Sequence, residues 1–233
     1  MSWIEEAKKR AALEAVKEVR DGSFIGLGSG STAAYAIRAL GAALRNGQLK
    51  DVTGVPTSYQ AASTALESGL PLTTLDEHPR LNLAIDGADQ VDGSLNLIKG
   101  GGGALTREKI VAAAADRYIV VVDEEKLTKI LGLGRGVPME VLPFASVFVL
   151  SKVKERATSA HLREGGGKVG PVVTDNGNFL MDADFGSIED AEELEAWLKK
   201  IPGIVETGLF LGLADVVYIG TKDGVRRLEG RSP

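Results

Sequence analysis

The sequence predicts an α/β protein: a parallel sheet with helices on both faces, joined to a smaller α+β domain. Three observations lead there. Between Ser2 and Val122, short apolar runs alternate with stretches of helical periodicity. Three glycine-bearing blocks each begin at or just after the end of such a run, which is where ligands sit in parallel sheets. After Leu131 the alternation gives way to an Asn-Gly turn between apolar runs and a separately capped helix, the marks of an antiparallel unit.

Taken in order, Ser2 with Glu5 makes a capping-box start. Ile4, Ala7, Ala11, Ala15 and Val19 then give a helix an apolar face to about Val19, and Asp21-Gly22 stops it. Residues 23–28 read as a short buried strand, 32–44 as an alanine-rich helix, 51–55 as a strand and 58–68 as a helix. Residues 70–75 and 81–85 read as further strands, 106–115 as a helix and 118–122 as a strongly apolar strand. Beyond these, 132–138 reads as a loop, 146–150 as a strand and 153–163 as a helix, with a break at Gly165-Gly166-Gly167. Residues 172–181 read as two strands around Asn176-Gly177. Ser187 and Asp190 cap a helix to about Lys200, ended by Pro202-Gly203. Residues 214–220 return as a strand, and Lys222-Asp223-Gly224 turns into another at 225–228. The expectation is a Rossmann-like domain over 1–130 and about 206–233, with a small α+β, ferredoxin-like domain over about 131–205.

With 233 residues, 44% of them hydrophobic, the chain can build one large core or a large and a small one. A net charge of -5 and the lack of a basic, aromatic-bearing patch argue against nucleic-acid binding. The chain has no cysteine, which excludes disulfides, thiolate metal ligands and a cysteine nucleophile. Its N-terminal stretch is charged and lacks an apolar signal core. No apolar run approaches the ~18 residues of a membrane span. The expectation is a cytoplasmic protein with no membrane partner.

The candidate chemistry is concentrated in the three blocks. Gly26-Leu-Gly-Ser-Gly-Ser-Thr32 between a strand and a helix can aim backbone N–H groups at a phosphate, with Ser29, Ser31 and Thr32 adding hydroxyl donors. Ser31 occupies the third glycine position of the dinucleotide fingerprint, and no Gly-Lys-Ser/Thr follows, so neither nucleotide motif is present. The bland alternative is a tight turn with an N-cap. In Asp86-Gly-Ala-Asp89 two carboxylates can face one pocket, or each can bond its own backbone in a turn. Gly100 to Gly103, four glycines in a row, carry a large entropic cost that close approach of a ligand to the backbone would justify. Lys99 enters that loop. Glu108 lies in the helix after it, where a first-turn acid also suits the helix dipole.

Jointly the blocks suit aldose–ketose interconversion. One base moves a proton between neighbouring carbons through an enediolate. Fixed donors stabilise the oxyanion, and a phosphate handle supplies remote binding energy.

The chain resembles the type A ribose-5-phosphate isomerases. Gly-Ser-Gly-Ser-Thr at 28–32, Asp-Gly-Ala-Asp at 86–89, Lys-Gly-Gly-Gly at 99–102 and Leu-Thr-Arg-Glu-Lys-Ile at 105–110 match their motifs in order. Val172-Val-Thr-Asp-Asn-Gly-Asn178 and the tail from Gly208 extend the match over essentially the whole chain. The resemblance implies interconversion of D-ribose 5-phosphate and D-ribulose 5-phosphate in the non-oxidative pentose phosphate pathway. It implies that Glu108 is the proton acceptor and donor, and that Asp86, with Asp89, assists ring opening and holds sugar hydroxyls. It implies that Lys99 and the loop Gly100, Gly101 and Gly102 bind substrate and stabilise the enediolate. Ser29, Gly30, Ser31 and Thr32 would bind substrate at the phosphate, Gly87 and Ala88 would line the site, and Lys126 would be a further substrate contact. The family is expected to need no metal or cofactor, to act on a small sugar phosphate and to form a homo-oligomer, a dimer or tetramer.

Two other classes compete. A sugar-phosphate sensor would have no need of Glu108, and no helix-turn-helix segment is evident in the sequence. A coenzyme A transferase shares glycine loops and a glutamate, but not the two-aspartate block with Lys99. His78 and His161 are the only histidines, which weighs against a metal site and a Ser-His-Asp triad. Trp3 and Trp197 read as packing or interface residues.

Overall fold

The computed structural model describes residues 2–167 and 169–230. Residues 1 and 231–233, the outer ends of the expected Rossmann-like domain, lie outside the described residues. In chain order the elements begin with α1 (Trp3–Val16), β1 (Phe24–Leu27), α2 (Gly30–Arg45), β2 (Thr53–Pro56) and α3 (Tyr59–Glu67). Next come β3 (Leu83–Asp86), β4 (Gln90–Val91), β5 (Leu97–Ile98), α4 (Leu105–Ala114) and β6 (Tyr118–Asp123). Then follow β7 (Val137–Val141), α5 (Ser146–Val153), β8 (Ser159–Leu162), β9 (Phe179–Asp184) and α6 (Ala191–Leu198). β10 (Ile204–Thr207), β11 (Leu209–Phe210), β12 (Val216–Gly220) and β13 (Val225–Glu229) complete the chain.

The chain divides into two compact units. The first holds the described residues up to Ala88, Arg107–Leu127 and those from Leu213 on. Its six-stranded sheet has the order β13-β12-β6-β3-β1-β2, parallel throughout except for β13, which runs antiparallel to β12. β6 is buried along its whole length. That is why Tyr-Ile-Val-Val-Val reads as a continuous apolar run: both faces of a parallel strand are covered. Ser2 Oγ accepts the Glu5 N–H at 3.3 Å and starts α1. The buried face of α1 is nearly all alanine, Ala7, Ala11, Ala12 and Ala15. Small residues let the helix lie against the sheet, and a β-carbon on Gly220 of β12 would sit 2.0 Å from the Ala7 carbonyl oxygen.

The second unit comprises Asp89–Thr106 and Thr128–Gly212. β7-α5-β8-β9-α6-β10 is a β-α-β-β-α-β chain, and its antiparallel sheet has the order β10-β7-β9-β8. That is the small α+β, ferredoxin-like fold the sequence predicts. Its core includes Val137, Met139, Val141, Val149, Met181 and Leu198. Each such side chain contributes roughly 1.5–3 kcal/mol by leaving water. A three-stranded antiparallel ribbon, β11-β5-β4, belongs to the same unit.

Four local expectations are corrected. Residues 70–75 are not a strand: Leu72 makes only an isolated bridge to Gly54. Residues 146–150 form the start of α5, because Pro143 sets a 3-10 turn that leads into it. A short apolar run does not by itself distinguish strand from helix. In the expected helix 153–163 the structure has β8, whose alternation of buried Ala160 with exposed His161 pairs with β9. The expected loop 132–138 runs into β7 at Val137. The Asn176-Gly177 turn is present, with Gly177 N–H bonded to Thr174 O at 2.9 Å, but its first arm is reduced to a Val173–Phe179 bridge.

Candidate active site

In the first unit the parallel register brings the first two blocks together. Leu27 of β1 stands opposite Ile85 of β3, and Gly28 N–H donates to Ile85 O at 2.9 Å. Gly28 and Asp86 therefore meet at the carboxyl ends of neighbouring strands, where α/β sheets hold ligands. A β-carbon on Gly28 would lie 2.1 Å from Asp86 Oδ1, so glycine is the residue that admits this carboxylate. Asp86 is 2% exposed, and its Oδ1 accepts from Ser29 N–H at 3.1 Å and Gly87 N–H at 2.7 Å.

Ser29 is the N-cap of α2 but makes no side-chain cap bond. Its hydroxyl instead lies 2.8 Å from Thr57 Oγ1 and donates to Ser58 Oγ at 2.6 Å, at the end of β2. The Gly30 N–H donates to Gln60 Oε1 at 3.0 Å, and Gly30 has φ +87, which favours glycine. Ser31 Oγ lies 3.5 Å from Lys8 Nζ, which is also paired with Glu5 at 2.8 Å. Thr32 lies close to Gly87: its Cβ would be 3.9 Å from a β-carbon there. Ala88 follows and is half-buried.

Glu108 sits in the first turn of α4 and is only 6% exposed. Val111, one turn later on the same face, packs on β1: a β-carbon on Gly26 would be 2.3 Å from Val111 Cγ1. Arg107 beside it lies over the Tyr59 ring at 5.3 Å. Lys126 stands in the 3-10 turn Glu124–Lys126 directly after β6, a turn capped by the Asp123 carboxylate through Glu125 N–H at 3.1 Å.

In the second unit Asp89 Oδ2 accepts from Gly101 N–H at 2.7 Å, and Arg135 stands 4.0 Å from Oδ1. A β-carbon on Gly101 would clash with that carboxylate at 2.7 Å. Lys99 is 3% exposed, its N–H bonds Gly208 O at 2.8 Å, and its Nζ lies 5.4 Å from the Phe210 ring centre. Gly100 has φ +100 and would meet Leu105 at 2.8 Å with any side chain, whereas Gly102 faces open space. Arg163 braces the loop, donating to Gly100 O at 3.2 Å and Gly101 O at 2.8 Å while its fork pairs with Asp182.

Thus Ser29, Gly30, Ser31, Thr32, Asp86 and Gly87 cluster in the first unit, with Glu108 and Lys126 on the same unit. Asp89, Lys99, Gly100 and Gly101 cluster in the second. Sequence reasoning missed Lys8, Thr57, Ser58 and Arg163. Thr57 and Ser58 follow a strand, so the strand-end rule would have found them. Lys8 and Arg163 have no local signal. His78 stacks on Phe24 at 3.6 Å and His161 lies on β8. Among the described residues no group of three His, Cys, Asp or Glu could hold a metal, and no helix is long and apolar enough to cross a membrane.

The comparisons with known proteins agree with one another. The family model of ribose 5-phosphate isomerase A (phosphoriboisomerase A) matches residues 53–224. The ribose-5-phosphate isomerase A of Pyrococcus abyssi is 50% identical over 226 residues, covering 97% of this chain and 99% of its own. That of Methanothermobacter thermautotrophicus is 51% identical over 221 residues, covering 95% and 96%. A solved D-ribose-5-phosphate isomerase in complex with phospho-erythronic acid superposes with a TM-score of 0.95 at 48% identity, over 98% of this chain and 100% of that one. The enzyme from Plasmodium falciparum gives 0.93 at 37% identity, over 98% and 100%. These matches decide for an isomerase over a sensor or a transferase. The chain belongs to the ribose 5-phosphate isomerase A family of aldose–ketose isomerases.

Proposed function

We propose that Glu108 moves the proton in the interconversion of D-ribose 5-phosphate and D-ribulose 5-phosphate, the reaction of this family. The observation that carries the reading is a buried glutamate in the first turn of α4, one turn from the residue that packs the helix on β1. A base shielded from water there keeps the proton it takes. In the forward direction Glu108 removes the proton from C2 of the open-chain aldose. The electron pair forms the C1–C2 double bond and leaves negative charge on O1. Return of the proton to C1, with the O2 hydroxyl proton passing to O1, gives the ketose and its C1 hydroxyl group. Each direction uses the same carboxylate first as base and then as acid.

Asp86, rigidly held by two backbone N–H groups, is suited to take the hydroxyl proton in ring opening and to orient sugar hydroxyls. Ser29, Gly30, Ser31 and Thr32 at the start of α2 are suited to the phosphate, with Lys8 as an added cation. Asp89 is assigned, with Asp86, to ring opening and the sugar hydroxyls, and Lys99 with the loop Gly100, Gly101 and Gly102 to substrate binding and the enediolate oxygen. Gly87, Ala88 and Lys126 are assigned as further contacts. Those assignments rest on the family motifs. The exposed apolar side chains Leu142, Phe144, Val147 and Phe148, before and on α5, support a homo-oligomer, which light scattering tests. The metabolic role supports a cytoplasmic location.

The test is Glu108→Gln with ribose 5-phosphate. Isomerisation should fall by at least ~10³-fold while sugar-phosphate binding by calorimetry stays within about threefold. Undiminished turnover would remove Glu108 from the base role.

A further inference from the structure

We propose that Glu140 is a positioning residue for Glu108, acting through Thr106. The inference rests on the reading of Glu108 as the base.

Glu140 lies in the middle of β7, a strand hydrogen-bonded on both sides, and is fully buried. Four neutral side chains converge on its carboxyl group. Thr106 Oγ1 donates to Oε2 at 2.6 Å. Thr174 Oγ1 and Asn178 Nδ2 donate to Oε1 at 3.0 and 2.6 Å. Asn176 Nδ2 spans both oxygens at 3.1 and 3.2 Å. Amide nitrogens only donate, so the carboxyl oxygens accept from all of them. The proposed reaction uses none of these groups.

Taking a carboxylate out of water is expensive, and apolar packing would hold the 174–178 turn more cheaply. What apolar packing would not supply is a directional link to the first turn of α4. Thr106 provides it. Four glycines precede this turn, so the chain entering the helix has little stiffness of its own. The loop is pinned at its start by the Lys99 N–H bond to Gly208 O and near its middle by Asp89 and Arg163. Glu140 pins its far end. Thr106 and Glu108 stand two residues apart, about 200° around the helix. The anchor therefore grips the turn through a helix position other than the one that carries the base. A reacting carboxylate displaced by about 1 Å loses ~10²-fold in rate. A loosened first turn should cost part of that.

The experiment measures steady-state kinetics and thermal unfolding of Glu140→Gln, Thr106→Val, their double variant, Thr106→Ser and Thr174→Val. Assays run well below each unfolding midpoint. The proposal expects kcat to fall about 10-fold in Glu140→Gln and Thr106→Val, with KM within twofold, and no further fall in the double variant. Thr106→Ser, which keeps the hydroxyl, should hold kcat within twofold of the parent. Thr174→Val removes a donor on the hairpin side and should lower the midpoint while leaving kcat within twofold. A kcat within twofold of the parent in folded Thr106→Val would overturn the proposal, whatever happens to stability. Additive losses in the double variant would overturn it too. Should Glu140→Gln not fold, Thr106→Val against Thr106→Ser decides alone. Glu108→Gln in the same assay separates the two readings. If it retains turnover, the base assignment fails. If it is dead while Thr106→Val is fully active, only the positioning role fails.

Discussion

Gly28→Ala adds one methyl group at the seam of β1 and β3, and the structure says where it goes. Gly28 is not among the glycines with positive φ, so alanine meets no backbone strain there. The new carbon would stand 2.1 Å from Asp86 Oδ1, 2.3 Å from its Cγ and 2.5 Å from its Cα. Ordinary contact begins near ~3.5 Å. The carboxyl group could rotate away, but the Cα belongs to β3 and cannot. Either the seam opens at the Gly28–Ile85 hydrogen bond or Asp86 leaves its two N–H donors. Overpacking costs about 1–3 kcal/mol. Losing a hydrogen bond to a charged group adds about 1.5–3 kcal/mol. A combined loss of about 3–5 kcal/mol, at about 2–4 °C per kcal/mol for a chain of this size, lowers the unfolding midpoint by about 6–20 °C. Displacing Asp86 should also lower kcat/KM at least 10-fold. Gly87→Ala is the stability control: its β-carbon would meet nothing nearer than Val121 O at 3.8 Å. It should stay within about 1 kcal/mol of the parent. A Gly28→Ala protein with the parent's midpoint and kcat/KM would show that the Gly28–Asp86 approach is not a constraint, and the account of that strand end would fall.

Other expectations follow from the same geometry. Burial alone would raise the Glu18 carboxyl, but the Tyr218 hydroxyl, Arg117 and Arg227 together hold it below the ordinary glutamate value. A lowered carboxyl stabilises the fold above the unfolded-state pKa, and that contribution is lost as pH falls through the folded-state value. Glu18→Gln should therefore cost about 1 kcal/mol at pH 7 and flatten the acid limb of the stability profile below about pH 4.3. An unchanged acid limb in chemical denaturation would contradict this. Lys99→Ala should lose ~10²-fold in kcat and weaken substrate binding, read by steady-state kinetics; parental kinetics would take Lys99 out of the site. Arg163→Lys cannot reproduce a fork that holds Asp182 and two glycine carbonyls at once. Proteolysis within 100–103 should become several-fold faster at unchanged global stability, and unchanged cleavage would show that the loop does not depend on this brace.

The sequence made the candidate site residues legible and hid the groups that hold them. Asp86 and Ser29 stand at the ends of apolar strands of the parallel sheet, where a rule about strand ends points, whereas Lys126 reads as a solvated charge and is selected only by the family resemblance. Buried parallel strands announce themselves as apolar runs, so β1, β3, β6 and β12 could be read with small errors at their ends. The second unit offers weaker signals. β7 contains Pro138 and Glu140, two residues that argue against a central strand; its first two residues read as the end of a loop, and 139–141 carry no assignment. Ser146 to Leu150 is apolar and β-branched, yet forms a helix because its start is set by Pro143 and its buried face by Val149 and Val153. Arg163 fell inside an expected helix, though it lies just beyond β8. These errors share a cause. The partners of Glu140 are 34 to 38 residues away in sequence, and those of Arg163 on the glycine loop are 62 and 63 residues away. Hydrogen bonds of that reach have no period and leave no trace in a local window. The Thr174-Asp-Asn-Gly-Asn178 segment illustrates the point: its Asn-Gly correctly announced a turn, but nothing local explained why two further positions should be Thr174 and Asn178. The structure supplies the reason, a buried carboxylate on β7 that needs donors. A polar turn richer in donors than its own backbone requires is therefore a sequence-level sign of a buried acceptor elsewhere in the fold.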